Sequence, residues 1–289
     1  MPTPSAVAAV IVGRAALALL GWPPSMLMQE GPVHLRLEAA RGESLEYRHE
    51  GTMTLDLPPE LGGHVTTRTS LTLRQTAEEV TPDTLFFMAA ITRLHFSSEP
   101  PIPGAPLLEG LRSPPFRLAV TRSGRVARIE PQSVEGGGPD PGTQVQPAQL
   151  EGWLQRVGFP VLPELPVAVG ESWSDTVPLA AMGVPGLEAA EGIRVVRTTT
   201  LERVQAFGRS RVAELRSKMK LLVAGRGDPS GPSARVSGSV EQLVRFDVTR
   251  GRFLASRGTV EFAFELPQPG APALSLSGSG TTRTSLAEP

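Results

Sequence analysis

The sequence predicts an all-β protein with one or two short helices. Its strands should form a curved antiparallel sheet or half-open barrel built from two similar halves. Three observations carry this. Apolar residues recur at every second position over most of the chain, the period of a half-buried strand. The strands predicted after residue 192 are longer than the usual five or six residues, which favours a strongly twisted, curled sheet. And a short hairpin signature occurs once in each flank of a central proline-rich stretch.

From Pro32 the alternation starts with Val33, Leu35 and Leu37. It continues through Leu45, Tyr47, His49, Gly51, Met53, Leu55 and Leu57, and after a turn-rich Pro58–Gly63 through Val65, Thr67, Thr69, Leu71 and Leu73. Thr84 to Ser97 is an almost continuous apolar run with Phe86, Phe87 and Phe96. Polar and apolar residues that alternate in this way indicate antiparallel strands with one face buried. Phe116–Val120 and Arg125–Ile129 form a hairpin around Arg122-Ser123-Gly124. Residues 131–147 are rich in proline and glycine and read as loop.

The centre of the chain is Phe159 to Thr176, F-P-V-L-P-E-L-P-V-A-V-G-E-S-W-S-D-T. Pro160, Pro163 and Pro166 fix φ and remove backbone donors, so neither a helix nor a central strand survives here. The stretch is apolar, unlike an ordinary polar linker, and reads as a stiff strap docked over a core. Gly170-Glu171 is a turn, and Ser172 to Val177 a short strand carrying Trp173. A helix over 147–157 leads into the strap. Pro147 suits a first helical turn, Leu150, Trp153, Leu154 and Val157 form one stripe, and Gly158 suits the position after a helix end.

Beyond a Gly/Pro loop at 178–192, four long strands are predicted at Ile193–Ala206, Arg211–Val223, Ala234–Val248 and Phe253–Leu266, and a fifth at Leu274–Ser285. Val120-Thr121-Arg122-Ser123-Gly124-Arg125-Val126 resembles Val248-Thr249-Arg250-Gly251-Arg252-Phe253, and Thr66 to Leu71 resembles Thr281 to Leu286. Such self-similarity points to duplication. The chain thus divides into a signal-like segment at 1–28, a first β-rich half at 29–146, helix plus strap at 147–177, and a second half at 178–289.

Composition narrows function. With no cysteine, disulfides, zinc–thiolate sites, iron–sulfur clusters and thiol catalysis are excluded. A net charge of −1 without a run of one sign argues against a nucleic-acid face. All the basic residues except Lys218 and Lys220 are arginine, and asparagine is absent, a pattern of GC-rich coding. Ala6 to Leu20 is apolar apart from Gly13 and Arg14, which suits an export signal cleaved near Met28-Gln29. An uncleaved N-terminal helix is the alternative. No pair of His34, His49, His64 and His95 has metal-ligand spacing, and no nucleophile elbow or phosphate loop is present. Gly225 to Gly231 reads as a hairpin turn. Glu171 and Asp175 read as a turn residue and a solvated edge charge. No cofactor is expected.

The strand Tyr47–Leu55, the Gly-Arg turns and the F-P-V-L-P…V-G-E-S-W-S-D-T motif together resemble a group of exported bacterial proteins of unknown function. In strand layout these are similar to the lipoprotein carriers of the LolA/LolB type. The resemblance implies a curved sheet around an apolar cavity, working in the periplasm or cell envelope, and transfers no catalytic residue. Two non-enzymatic functions follow as expectations. One is a carrier of an apolar ligand, lipid or lipidated chain, held by Leu71, Leu73, Phe87, Trp153, Trp173, Phe262 and Phe264. The other is a structural or protein-interaction module of the envelope.

Overall fold

A computed structural model describes residues 31–59, 63–101, 114–132, 160–178, 193–223, 235–268 and 271–287. The strands are β1 (Ser44–Asp56), β2 (His64–Val80), β3 (Thr84–Glu99), β4 (Phe116–Thr121) and β5 (Val126–Pro131). After the strap come β6 (Ser172–Pro178), β7 (Ile193–Phe207), β8 (Ser210–Val223), β9 (Arg235–Asp247), β10 (Arg252–Gln268) and β11 (Ala271–Ala287). All eleven join one antiparallel sheet in the order β5-β4-β3-β2-β1-β11-β10-β9-β8-β7-β6. The sheet is open, with β5 and β6 as its edges. Among the described residues no α-helix occurs. The helix predicted over 147–157 lies outside them.

The order across the sheet contains two consecutive meanders. The meanders β1–β5 and β6–β10 run in the same sense, with β11 placed between β1 and β10. Hairpins β4–β5 and β9–β10 therefore occupy equivalent places, and they carry the turn glycines Gly124 (φ 86°) and Gly251 (φ 62°). The likeness of Thr66–Leu71 to Thr281–Leu286 is not a repeat of place. β2 matches β7 in the second meander, and β11 has no counterpart.

Alternation decides which face is buried. Leu45, Tyr47, Leu71, Leu73, Leu201, Leu215, Val244 and Phe246 point inward, while Glu46, Arg48, Arg68, Arg74, Arg216, Lys218, Glu241, Arg257 and Arg283 point out to water. The apolar run of β3 is rephased by a bulge. The register slips between Thr72 and Leu73, so the inward set passes from Leu85, Phe87, Ala89 and Ile91 to Leu94 and Phe96.

One end of the sheet is rolled shut. Leu37 donates its N–H to Arg122 O and the next residue, Glu38, donates to Gly251 O, each at 2.8 Å. These acceptors sit on the two equivalent hairpins, which in a flat sheet would be six strand spacings, about 29 Å, apart. The short contact requires strong curling at this end. Residues 33–37, read from sequence as a strand, pair with the sheet nowhere in regular fashion. Only the bridge Val33↔Val167 is formed, and the segment is a plug with Val33 and Leu35 buried.

The strap crosses the same end. Leu162 donates to Ser123 O at 2.7 Å, and Gly170 donates to Leu201 O at 2.8 Å. It thus ties the β4–β5 tip at one side of the sheet to β7 at the other. Pro160, Leu162 and Val167 are buried in it, as the apolar spacing predicted. The plug and strap residues Val33, Leu35, Leu162 and Val167 pack with Leu45, Tyr47, Leu201, Leu215, Val244, Phe246 and Phe253 in one core, and Leu71, Leu73, Leu85, Phe87, Ile91, Phe116 and Leu118 form a second.

Candidate functional site

Going from the plugged end toward the opposite end, the inward face changes in three steps, each visible as a row of residues in register. Nearest the plug lie the filled cores. Next comes a polar row in which Trp173, Thr199, Ser217, Gln242, Gly258, Thr282, Gly51, Thr69 and Phe96 are successive partners across nine strands. The Thr199 and Ser217 hydroxyls are 2.9 Å apart and wholly buried. Beside this row, His49 Nδ1 lies 3.0 Å from Thr284 Oγ1. Burial lowers the His49 pKa to about 4, because the imidazolium would lose its water.

Beyond the polar row the inward side chains are apolar again but only half-buried: Met53, Leu55, Val240, Val260, Phe262 and Leu276. Val65 and Phe264 in this region are buried. Phe262 and Phe264 lie on one face with ring centroids 5.2 Å apart. This is a concave apolar wall with more exposure than a packed core tolerates on the same strands.

Two charged groups interrupt the face. Arg197 holds Asp175 through Nε–Oδ1 at 2.9 Å and Nη2–Oδ2 at 2.7 Å, with side chains 5% and 2% exposed. Asp175 is therefore not the solvated edge charge that its place at the edge strand suggested. It points inward with Trp173 because β6 alternates, and Arg197 faces it directly in the register. Glu171 is a turn residue as predicted, accepting the Ala168 N–H.

A separate cleft of about 750 Å³ opens at the rim of the unplugged end. Asp56, Ser237, Glu265, Ser275 and Ser277 line it together with Phe264 and Leu276. His64 Nδ1 sits 2.7 Å from Asp56 Oδ1, and Ser277 Oγ is 3.4 Å from Asp56 Oδ2. The carboxylate stands between the imidazole and the hydroxyl. Activation of a serine needs the imidazole in the middle, so this trio is not arranged for nucleophilic catalysis.

The residues predicted to hold a ligand are thereby divided. Leu71, Leu73 and Phe87 are buried in the filled second core and offer no free surface. The bulge and the curl place them toward the plug, which alternation along one strand does not reveal. Phe262 is on the half-buried wall, and Phe264 is buried beside it. Trp173 packs half-buried against the first core and donates its indole N–H to Val161 O at 2.6 Å. Trp153 lies outside the described residues. The Asp175–Arg197 pair and the polar row were not foreseen from the sequence. The signal was available: Trp173 and Asp175 share a face, as do Arg197, Thr199 and Leu201, but the pairing of β6 with β7 was needed to join them.

No family model matches the chain, and no curated protein does. Among solved structures, the chain is similar to one described as "lipid-protein interactions in lipovitellin". The TM-score is 0.48 with 11% identity, over 87% of this chain and 26% of that one. The chain thus spans about a quarter of that chain's length.

Proposed function

We propose that this protein is an exported, non-enzymatic carrier that shelters an apolar ligand, a lipid or lipidated chain, against the inward wall of its unplugged end. The observation behind this reading is the change along the strands. The same face that is packed and closed at the plug becomes an apolar, half-exposed surface beyond the polar row. A sheet that needed only stability gains nothing from leaving Met53, Leu55, Val260 and Phe262 partly exposed on a concave face. The apolar stretch Ala6–Leu20 supports export, and the periplasm or cell envelope is where such a carrier would work.

Native mass spectrometry of the purified protein tests it. Adducts of lipid mass are expected. In parallel, Phe262→Gln and Met53→Gln should weaken binding of a hydrophobic dye, while Ser239→Gln on the outward face should not. Absence of both adducts and dye binding, or dye binding untouched by the wall substitutions, would overturn the proposal.

A further inference from the structure

The plugged end carries an independent feature. All the large apolar side chains that stand exposed among the described residues lie there: Val80 at the β2–β3 turn, Leu165 and Val169 on the strap, and Phe207 at the β7–β8 turn. Phe207 is 72% and Leu165 76% exposed. Phe207 leads into a two-residue turn, Gly208-Arg209, with Gly208 at φ 62° in the first position and Phe207 paired with Ser210. That is a tight hairpin whose glycine relieves the steric cost of the turn. It reaches past its neighbours: β9 joins β8 only from Val212 onward, and β6 joins β7 only up to Thr200.

The charge of the hairpin itself is of one sign. From Arg203 to Ala213 the chain has no carboxylate, and it places Arg209 and Arg211 on either side of Ser210. The adjoining β9–β10 turn adds the exposed Arg250. Of the acids at that turn, Asp247 is buried and accepts the N–H groups of Thr249 and Arg250 at 2.9 Å, while the exposed Glu38, whose N–H donates to Gly251 O, is engaged by Arg122 at 3.3 Å.

We infer that the β7–β8 tip docks on an anionic lipid bilayer, with Phe207 entering the boundary below the headgroups and Arg209 and Arg250 at the phosphate level. An exposed aromatic on a rigid turn, flanked by cations, complements a surface that is apolar beneath and negative above. The hairpin from Arg203 to Ala213 offers positive charge alone beside its exposed aromatic, which matches anionic headgroups over an apolar layer. The inference does not depend on a ligand in the lumen.

The chain has no cysteine, so a single introduced thiol labels one site. Ala206→Cys, next to the retained Phe207, carries an environment-sensitive fluorophore, and Ser279→Cys on the outward face of β11 is the control. Phosphatidylglycerol–phosphatidylcholine vesicles should blue-shift and brighten the label at 206 and leave that at 279 unchanged. Each arginine near an anionic surface contributes about a fivefold gain in binding, so Arg209→Gln with Arg250→Gln should weaken the response at 206 roughly 25-fold. Phe207→Ser should weaken it as well, and high salt should mimic the arginine changes. An unresponsive label at 206 overturns the inference even if the protein sediments with vesicles, because contact then lies elsewhere. Equal responses at 206 and 279 also overturn it, as does a response indifferent to the arginines.

Discussion

Gly124 and Gly251 occupy equivalent hairpins, yet an alanine should not cost the same at both. Each has φ in the left-handed region, 86° and 62°, where a Cβ costs about 1–2 kcal/mol. At Gly124 that is the whole cost, because an added Cβ would meet Leu37, Phe253 and Pro160 at 3.7–3.9 Å, ordinary contact distances. At Gly251 the Cβ would stand 2.5 Å from Glu38 Cβ and Cγ and 2.7 Å from Arg36 O. The backbone of the plug must then move, at about 1–3 kcal/mol for overpacking. Gly251→Ala is thus expected to destabilise by about 2–5 kcal/mol and Gly124→Ala by about 1–2 kcal/mol. Urea unfolding measures both. Trypsin supplies a local readout, since a displaced plug offers Arg36 and Arg41 for cleavage in Gly251→Ala and not in Gly124→Ala. Equal costs with equal cleavage would refute the reasoning, for they would show that the plug does not lie against Gly251 in solution.

Two other expectations concern buried polar groups. Asp175→Asn leaves the Arg197 charge buried without its partner and should cost about 3–5 kcal/mol, whereas Asp175→Leu with Arg197→Met should be close to neutral in the same urea experiment. His49, held neutral with a pKa near 4, binds fewer protons folded than unfolded, so stability falls as pH drops from about 6.5 to about 4 and is fully present above. That limb amounts to roughly 3 kcal/mol, and in His49→Gln the difference from the parent protein across this window should flatten; parallel pH curves for the two proteins would rule it out.

Much of this architecture is legible in the order of the residues. Alternation locates the strands because each keeps one face in water: Glu46, Arg48 and Glu50 interleave with Leu45, Tyr47 and His49. The strap is legible because Leu162 and Val167 are apolar where prolines forbid regular structure. What alternation leaves open is position along the strand. Leu71 and Met53 share one face and similar hydrophobicity, but Leu71 is packed in the second core and Met53 is half-exposed on the wall. The difference comes from the curl, which depends on contacts between residues far apart in sequence, such as Glu38 with Gly251. Val33, Leu35 and Leu37 show the converse limit. Their spacing signals an extended chain with one buried side, and a plug satisfies that as well as a ladder does.

The candidate wall depends most on a residue that contributes no side chain to it. Every strand pairing except β1 with β11 joins neighbours in sequence, and those contacts are local to one meander. β11 alone joins the meanders, pairing with β1 over Glu46↔Ala287 to Asp56↔Ser277 and with β10 on its other side. Along its inward face stand Gly278 and Gly280 where other strands place bulky residues. A Cβ at Gly278 would lie 2.7 Å from the Phe262 ring, 2.8 Å from Thr54 O and 2.9 Å from Leu55 Cδ2. Phe262 belongs to the second meander and Leu55 to the first. The glycine lets side chains from both halves close over the seam, as glycine does where a sheet bends and chains approach closely. A continuous apolar wall therefore exists only once the last strand has paired with the first. Either meander alone would present half of it, with an unpaired edge where the seam should be.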